Sequence, residues 1–154
     1  MDMTPKKYIV ILSVVLLLAG SVFTVRRLIF TVPEKYRQFF DSVERKYSLP
    51  KDMLAKIAWQ ESRFRDDIIS GRTRSRAGAV GMMQIVPSQH PGVNPLDVAQ
   101  AVDYAGRYLS SLFKQFGRWD KAVAAYNWGP GNVARLGLAK APAETRNYVK
   151  AVLT

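Results

Sequence analysis

The sequence has no cysteine and only one histidine. Without thiols there is no disulfide, no thiolate metal site and no cysteine nucleophile. The lone His90, next to Pro91, cannot build a multi-histidine centre and reads as a structural loop residue. Acidic residues are scarce too. Twelve Asp and Glu stand against 23 Lys and Arg, a net charge of +11. From Pro33 onward there are 19 basic and 11 acidic side chains, a balance of +8. Such a surface attracts polyanions: nucleic acid, anionic headgroups or acidic wall polymers. Charge alone does not choose among them, and no nucleic-acid motif accompanies it. Apolar residues make up 48% of the 154, enough for one packed domain and too many for a disordered chain.

Charge is missing altogether from residues 8–25, which are flanked by Lys6 and Lys7 on one side and Arg26 and Arg27 on the other. This run is at the lower length limit of a membrane-spanning helix. A retained anchor is the favoured reading, because Leu28-Ile29-Phe30 stays apolar. Cleavage after Ala19-Gly20-Ser21 is a second reading. A buried core helix fits least, because the run is not amphipathic. Ser21 stands where a lipoprotein signal requires Cys, which excludes lipidation there. The expected organisation is a membrane anchor or signal-anchor over residues 1–32 and one soluble domain over 33–154. The excess of Arg and Lys after the run, taken literally, puts that domain on the cytoplasmic side.

The soluble part reads as helices over Glu34–Tyr47, Asp52–Glu61, Pro95–Phe116, Trp119–Tyr126 and Ala143–Leu153. Tyr36, Phe39, Phe40 and Val43 form the expected buried face of the first. Residues 65–80 lose periodicity and gain Gly, Ser and Arg, so they read as a loop or small hairpin. Asn127-Trp128-Gly129-Pro130-Gly131 reads as a closing turn. The fold class is mainly α: an α-rich single domain with at most a vestigial β element, plus the N-terminal transmembrane helix.

Glu61 is the leading candidate for chemistry. Leu54, Ile57 and Ala58 recur at helical spacing, and Glu61 is next on that face. Burial and a helix C-terminus both disfavour its anion, so its pKa should rise. A carboxyl protonated near neutrality is a general acid. Downstream, Gly78 and Gly81 allow close backbone approach, and Gln84 offers an amide donor and acceptor. Tyr126 and Asn127 put an aromatic ring and an amide at a helix end, which suits a sugar.

Taken in order, these segments resemble the soluble lytic transglycosylase catalytic domain, a goose-type-lysozyme-like family that cleaves peptidoglycan. Glu61-Ser62 matches its Glu-Ser motif. Gly81-Met82-Met83-Gln84 matches Gly-Leu-Met-Gln, with Met82 in place of Leu. Ala125 to Gly129 matches Ala-Tyr-Asn-x-Gly, and Glu144-Thr145-Arg146-Asn147-Tyr148-Val149 matches the last segment. The likeness spans about residues 48–153 and implies a lysozyme-like fold. It implies Glu61 as the sole catalytic acid and base, with Ser62, Ser75, Met83, Gln84, Tyr126, Asn127 and Tyr148 contacting substrate. Ser70 competes with Ser75 for one serine position, because the spacing from Glu61 to Ser75 is longer than the family's. No metal or cofactor is implied.

The implied reaction cleaves the bond between N-acetylmuramic acid and N-acetylglucosamine and leaves a 1,6-anhydromuramoyl end. The expected partners are peptidoglycan strands, a membrane through the N-terminal helix, and a larger secretion or virion assembly. The catalytic domain should face the cell wall, from the periplasmic side of an inner membrane or from a phage virion, which is opposite to the side the flanking charges favour. Three rivals differ in class: a lysozyme-type hydrolase, a non-catalytic glycan-binding protein, and a membrane-anchored nucleic-acid binder.

Overall fold

The computed structural model describes residues 30–154. The anchor expected from the apolar run at 8–25 lies outside the described residues. Among these, no helix is long and apolar enough to cross a membrane. Within the described residues seven helices follow one another: α1 (Glu34–Lys46), α2 (Met53–Ser62), α3 (Asp66–Ile69), α4 (Val98–Phe116), α5 (Trp119–Trp128), α6 (Pro130–Leu136) and α7 (Ala143–Leu153), with a 3-10 turn at Leu138–Lys140. The β content of the described residues is one isolated antiparallel bridge, Val80 to Ile85.

The centre is α5. Ala122, Val123, Ala124 and Ala125 are all fully buried, so this helix is enclosed on every side. Its small side chains let α4, α6 and α7 pack against it, while α7 also reaches α2 and α1 lies across α2 and α4. Helix α4 contributes Ala101, Val102, Ala105, Gly106, Leu109 and Leu112 to the core. Helix α2 contributes Leu54, Ile57 and Ala58, all inaccessible to solvent.

The sequence-based boundaries shift for local reasons. Helix α4 starts at Val98 and not at Pro95, because Asp97 caps it by accepting the Gln100 N–H at 3.0 Å. Helix α5 runs two residues past Tyr126. The expected closing turn is instead the start of α6, with Pro130 in the first turn, where a missing N–H costs nothing. The stretch 65–80 holds the single turn α3. Phe39 is exposed; the buried face of α1 is completed by Glu44 instead.

Glu44 is 4% exposed. Asp52, at the N-cap of α2, is left-handed and makes no side-chain cap. The Glu44 carboxylate replaces it, accepting the N–H groups of Asp52 and Leu54, each at 2.8 Å. Two of the orphan donors at the start of α2 are thus satisfied from α1. Burial pushes the Glu44 carboxyl up to about 7 even though these N–H groups favour its anion.

Helices α1 and α4 touch at Gly106. A Cβ there would lie 2.3 Å from Val43 Cγ1 and 3.1 Å from the Tyr47 ring. Val43 is β-branched and cannot turn away freely. Gly106→Ala should therefore destabilise the domain by about 1–2 kcal/mol, despite the better helix propensity of Ala. In urea unfolding, adding Val43→Ala to Gly106→Ala should cost less than the sum of the single changes. Strict additivity would mean that the two positions do not share this contact.

Candidate functional site

Glu61 is the penultimate residue of α2. The helix ends just beyond it at two consecutive left-handed residues, Arg63 (φ 51°) and Phe64 (φ 53°). Neither is glycine, so the bend is strained. Aromatic packing offsets the strain: the Phe64 ring lies 6.2 Å from Tyr36, 6.1 Å from Phe40 and 5.9 Å from Trp59. Ser62 completes the stop, donating its hydroxyl to Ala58 O at 2.9 Å and accepting the Phe64 N–H at 3.2 Å.

The Glu61 carboxyl turns towards α7. Tyr148 donates its hydroxyl to Glu61 Oε1 at 2.6 Å. Oε2 has no protein hydrogen bond among the described residues. Glu61 is only half-buried by surface, yet protein atoms crowd it closely enough that its carboxyl is pushed up to about 7. Burial is the main cause. The Tyr148 hydrogen bond opposes it, and the negative charge of Glu144 adds to it. Tyr148 and Tyr126 are held well above the ordinary tyrosine range, first by burial and then by the Glu61 charge. Both stay phenols and act as neutral donors.

The second wall is built from the glycine segment and α5. Gly81 (φ 76°) approaches the chain at Pro95 so closely that a Cβ would lie 1.9 Å from Pro95 O. That contact folds the Val80–Ile85 turn back, with Gln84 at φ 47° and its amide donating to Gly81 O at 3.0 Å. Tyr126 ties the turn to α5 by donating to Met83 O at 3.2 Å. Next to it, Asn127 Oδ1 accepts the Thr145 hydroxyl at 2.8 Å. With its oxygen so engaged, the Asn127 amide has its N–H groups left to donate.

Several expected substrate contacts are corrected. Ser62 is fully buried and spent on backbone bonds, so it shapes the helix end and does not touch a ligand. The Met83 side chain is 1% exposed; what it offers is its carbonyl. Ser75 is exposed, and its hydroxyl accepts the Ala79 N–H at 2.9 Å. Ser70 donates to Asp67 O at 3.3 Å. Neither serine hydrogen-bonds Glu61. Gln84, Tyr126 and Asn127 are half-buried; Tyr126 is the one whose charge environment is shared with Glu61 and Tyr148.

Three contributors were missed. Glu144 and Thr145 lie inside the last matched segment, but nothing in their spacing showed that one faces Glu61 electrostatically and the other holds Asn127. Tyr108 packs its ring 6.0 Å from Tyr126. Its signal was available: Tyr104 and Tyr108 recur one helical turn apart beside the buried stripe of α4. Among the described residues, no group of three or more His, Asp or Glu side chains could hold a metal ion.

The elevated carboxyl has two measurable consequences. In carboxyl-carbon NMR, Glu61 should titrate near pH 7. The midpoint should rise in Tyr148→Phe, which loses a donor to the anion, and fall in Glu144→Gln, which loses a repelling charge. A midpoint near 4.5 would refute the desolvated environment. Stability follows from the same shift. The folded pKa lies above the ordinary 4.5, so the protonated form stabilises the fold fully below about 4.5. That contribution declines as pH rises and is lost above about 7. Glu61→Gln, neutral at every pH, should therefore melt higher than the native protein at pH 8, with the gap closing by pH 4.

Comparison with known proteins places these features. The profile of the family described as "Transglycosylase SLT domain" matches residues 38–149. Peptidoglycan transglycosylase gp16 of Escherichia phage T7 is 29% identical over 141 residues, covering 79% of this chain and 10% of that protein. The X polypeptide of Escherichia coli is 35% identical over 100 residues, 58% of each chain. The crystal structure of the 70 kDa soluble lytic transglycosylase of Escherichia coli superposes with a TM-score of 0.62 at 30% identity, over 77% of this chain and 23% of that one. The chain thus spans a tenth to somewhat over half of the length of these curated relatives. A profile match across most of the helical domain, with a shared fold, leaves one conclusion: the chain belongs to the transglycosylase SLT domain family.

Proposed function

We propose that the chain is a peptidoglycan lytic transglycosylase. The observation that carries this is the Glu61 carboxyl: desolvated, raised to about 7, bonded through one oxygen to a neutral phenol and open at the other. It is protonated often enough at neutral pH to serve as an acid and ionises readily enough to serve next as a base.

Glu61 protonates the glycosidic oxygen between N-acetylmuramic acid and N-acetylglucosamine, and the bond to the anomeric carbon breaks. The neighbouring acetamido group of the substrate stabilises the positive charge at that carbon. Ionised Glu61 then takes the proton from the C6 hydroxyl of the same sugar. The C6 oxygen bonds to the anomeric carbon and closes the 1,6-anhydro ring, so no water is consumed. Asn127 and Tyr126 orient the acetamido group, Gln84 binds the adjoining sugar, and Tyr148 steadies Glu61 in its ionised phase.

Most glycosidases need a second carboxylate. Asp67 does not fit that role: Arg65 and Thr73 bind it and hold it down at about 2. Asp66 is exposed and lies 3.8 Å from Lys35. Glu144 is exposed, and its charge acts on Glu61 through space. The substrate's acetamido group takes the place of the missing nucleophile.

The setting we favour is local opening of the wall, by a phage particle delivering its genome or within a bacterial secretion or envelope apparatus. The phage relative supports the first. Residues 1–32 would tether the domain to a membrane with the Glu61 site facing the wall, at the periplasmic face or on a virion.

Purified protein should clear a suspension of cell walls, and Glu61→Gln should lower the rate at least about a thousandfold while keeping the fold. Mass spectrometry of the released muropeptides should find products one water lighter than hydrolysis gives. Hydrolytic masses would make the protein a lysozyme-type hydrolase, and full activity in Glu61→Gln would remove Glu61 from the mechanism.

A further inference from the structure

The loop from Gly71 to Gly78 takes no part in the chemistry above, yet it carries Arg72, Arg74 and Arg76 with no acid to balance them. No Asp or Glu stands between Asp67 and Asp97. All three arginines are exposed, and none makes a hydrogen bond or ion pair among the described residues. Other arginines are matched locally. Arg37 lies 3.1 Å from Glu34, Arg65 2.7 Å from Asp67 and Arg118 2.5 Å from Asp120.

The residues between the arginines fix the loop. Thr73 donates its N–H to Asp67 O at 2.9 Å and its hydroxyl to Asp67 Oδ2 at 2.7 Å. Ser75 donates its N–H to Ala79 O at 3.2 Å, and its hydroxyl oxygen accepts the Ala79 N–H at 2.9 Å. The small polar side chains are thus spent on the backbone and on Asp67, which Arg65 also holds. The three guanidinium groups are left for something outside the chain. The loop also stands beside the turn that carries Gln84. A Cβ at Gly71 would lie 2.8 Å from Leu96 Cδ2, and one at Gly81 would lie 1.9 Å from Pro95 O and 3.7 Å from Leu96 N. Both segments therefore abut Pro95–Leu96, and the loop runs through Ala79 straight into the Val80–Ile85 bridge.

We propose that Arg72, Arg74 and Arg76 bind carboxylates of the stem peptides that hang from the glycan, so that peptide-bearing strands are preferred to bare ones. The proposal rests on reading the Glu61 site as glycan-cleaving. Chemistry selects this occupant. The sugars of the strand offer hydroxyl and acetamido groups, whereas its carboxylates lie on the stem peptides. A planar guanidinium with forked donors matches a carboxylate better than it matches a neutral sugar. A lipid surface fits less well, because the loop supplies only Gly, Arg, Thr, Ser and Ala and has no large apolar side chain to enter a bilayer.

The test uses the Glu61→Gln protein and three probes: soluble peptidoglycan strands with their peptides, the same strands stripped by an amidase, and phosphatidylglycerol vesicles. At low salt the peptide-bearing strands should bind about tenfold more tightly than the stripped ones, and the gap should narrow at high salt. Adding Arg72→Gln, Arg74→Gln and Arg76→Gln together should abolish that preference while changing the binding of stripped strands by less than about twofold. The matching Lys changes keep the charge, lose the fork and should restore part of the preference. Melting curves should coincide, since none of the three side chains has a partner to lose; if the triple variant melts early, the single changes, each costing about twofold, carry the test. An unchanged preference in the Gln variant, equal losses on both strands, or arginine-dependent binding to the vesicles with no preference between strands would overturn the site. If the Glu61→Gln protein binds neither strand and the native protein leaves cell walls intact, the glycan-cleaving reading itself has failed; wall clearing by the native protein with no preference between strands removes only the arginine site.

Discussion

The hydrogen bond from Tyr148 to Glu61 joins the last helix of the chain to its second, across 87 positions of sequence. A carboxyl drawn out of water needs a partner, or it costs several kcal/mol. A lysine or arginine partner would satisfy it but would also lock it as the anion. A phenol satisfies it with a bias towards the anion that burial outweighs. Burial has also pushed Tyr148 well above the ordinary tyrosine range, so the phenol does not ionise itself. The pairing requires α7 to sit against both α2 and α5. Thr145, one turn before Tyr148, uses the same docking to hold Asn127.

Helix α2 is fixed at both ends, which turns it into a rigid mount for Glu61. At its start the cap is borrowed from Glu44 of α1, because Asp52 is left-handed and does not cap. At its end the left-handed pair Arg63–Phe64 stops the helix directly behind Glu61 and Ser62. The rings of Tyr36 and Phe40 on α1 pack on Phe64, so α1 braces both ends of α2. Strain held by packing in this way is stiff: small displacements lose contacts without gaining new ones.

The helices with long apolar periods were legible from sequence. Helix α7 has the expected bounds, and Glu61 proved desolvated for the reason its helical face suggested. Helix α6 was hidden because Gly-Pro-Gly has the same composition at a turn and at a helix start. Phe39 was misplaced because hydrophobicity was taken as the mark of burial, and the buried position went to Glu44, a carboxylate with a specific job. Ser62 and Met83 were read as ligand contacts because they stand inside matched motifs, yet both are sealed in the core. Motif position identifies a neighbourhood; whether a side chain faces the ligand or the packing behind it depends on rotamers and on helices far away in sequence. For the same reason Glu144 and Thr145 could not be assigned from spacing, whereas the one-turn repeat of Tyr104 and Tyr108 did carry a signal for Tyr108.

Glu44 and Glu61 show that an elevated carboxyl does not by itself mark a catalyst. Burial raises both to about 7. In Glu44 each oxygen accepts a backbone N–H, and the group is 4% exposed. Protonation there would remove an acceptor that the helix start needs, and no substrate can reach the proton. In Glu61 one oxygen is anchored by Tyr148 while the other has no protein hydrogen bond among the described residues. The same desolvation therefore yields a helix cap where every lone pair is committed, and an acid where one is left uncommitted at an accessible surface. What separates the two is the number of protein donors aimed at the carboxylate, and that follows from Glu44 lying across the start of α2 and Glu61 standing at its end.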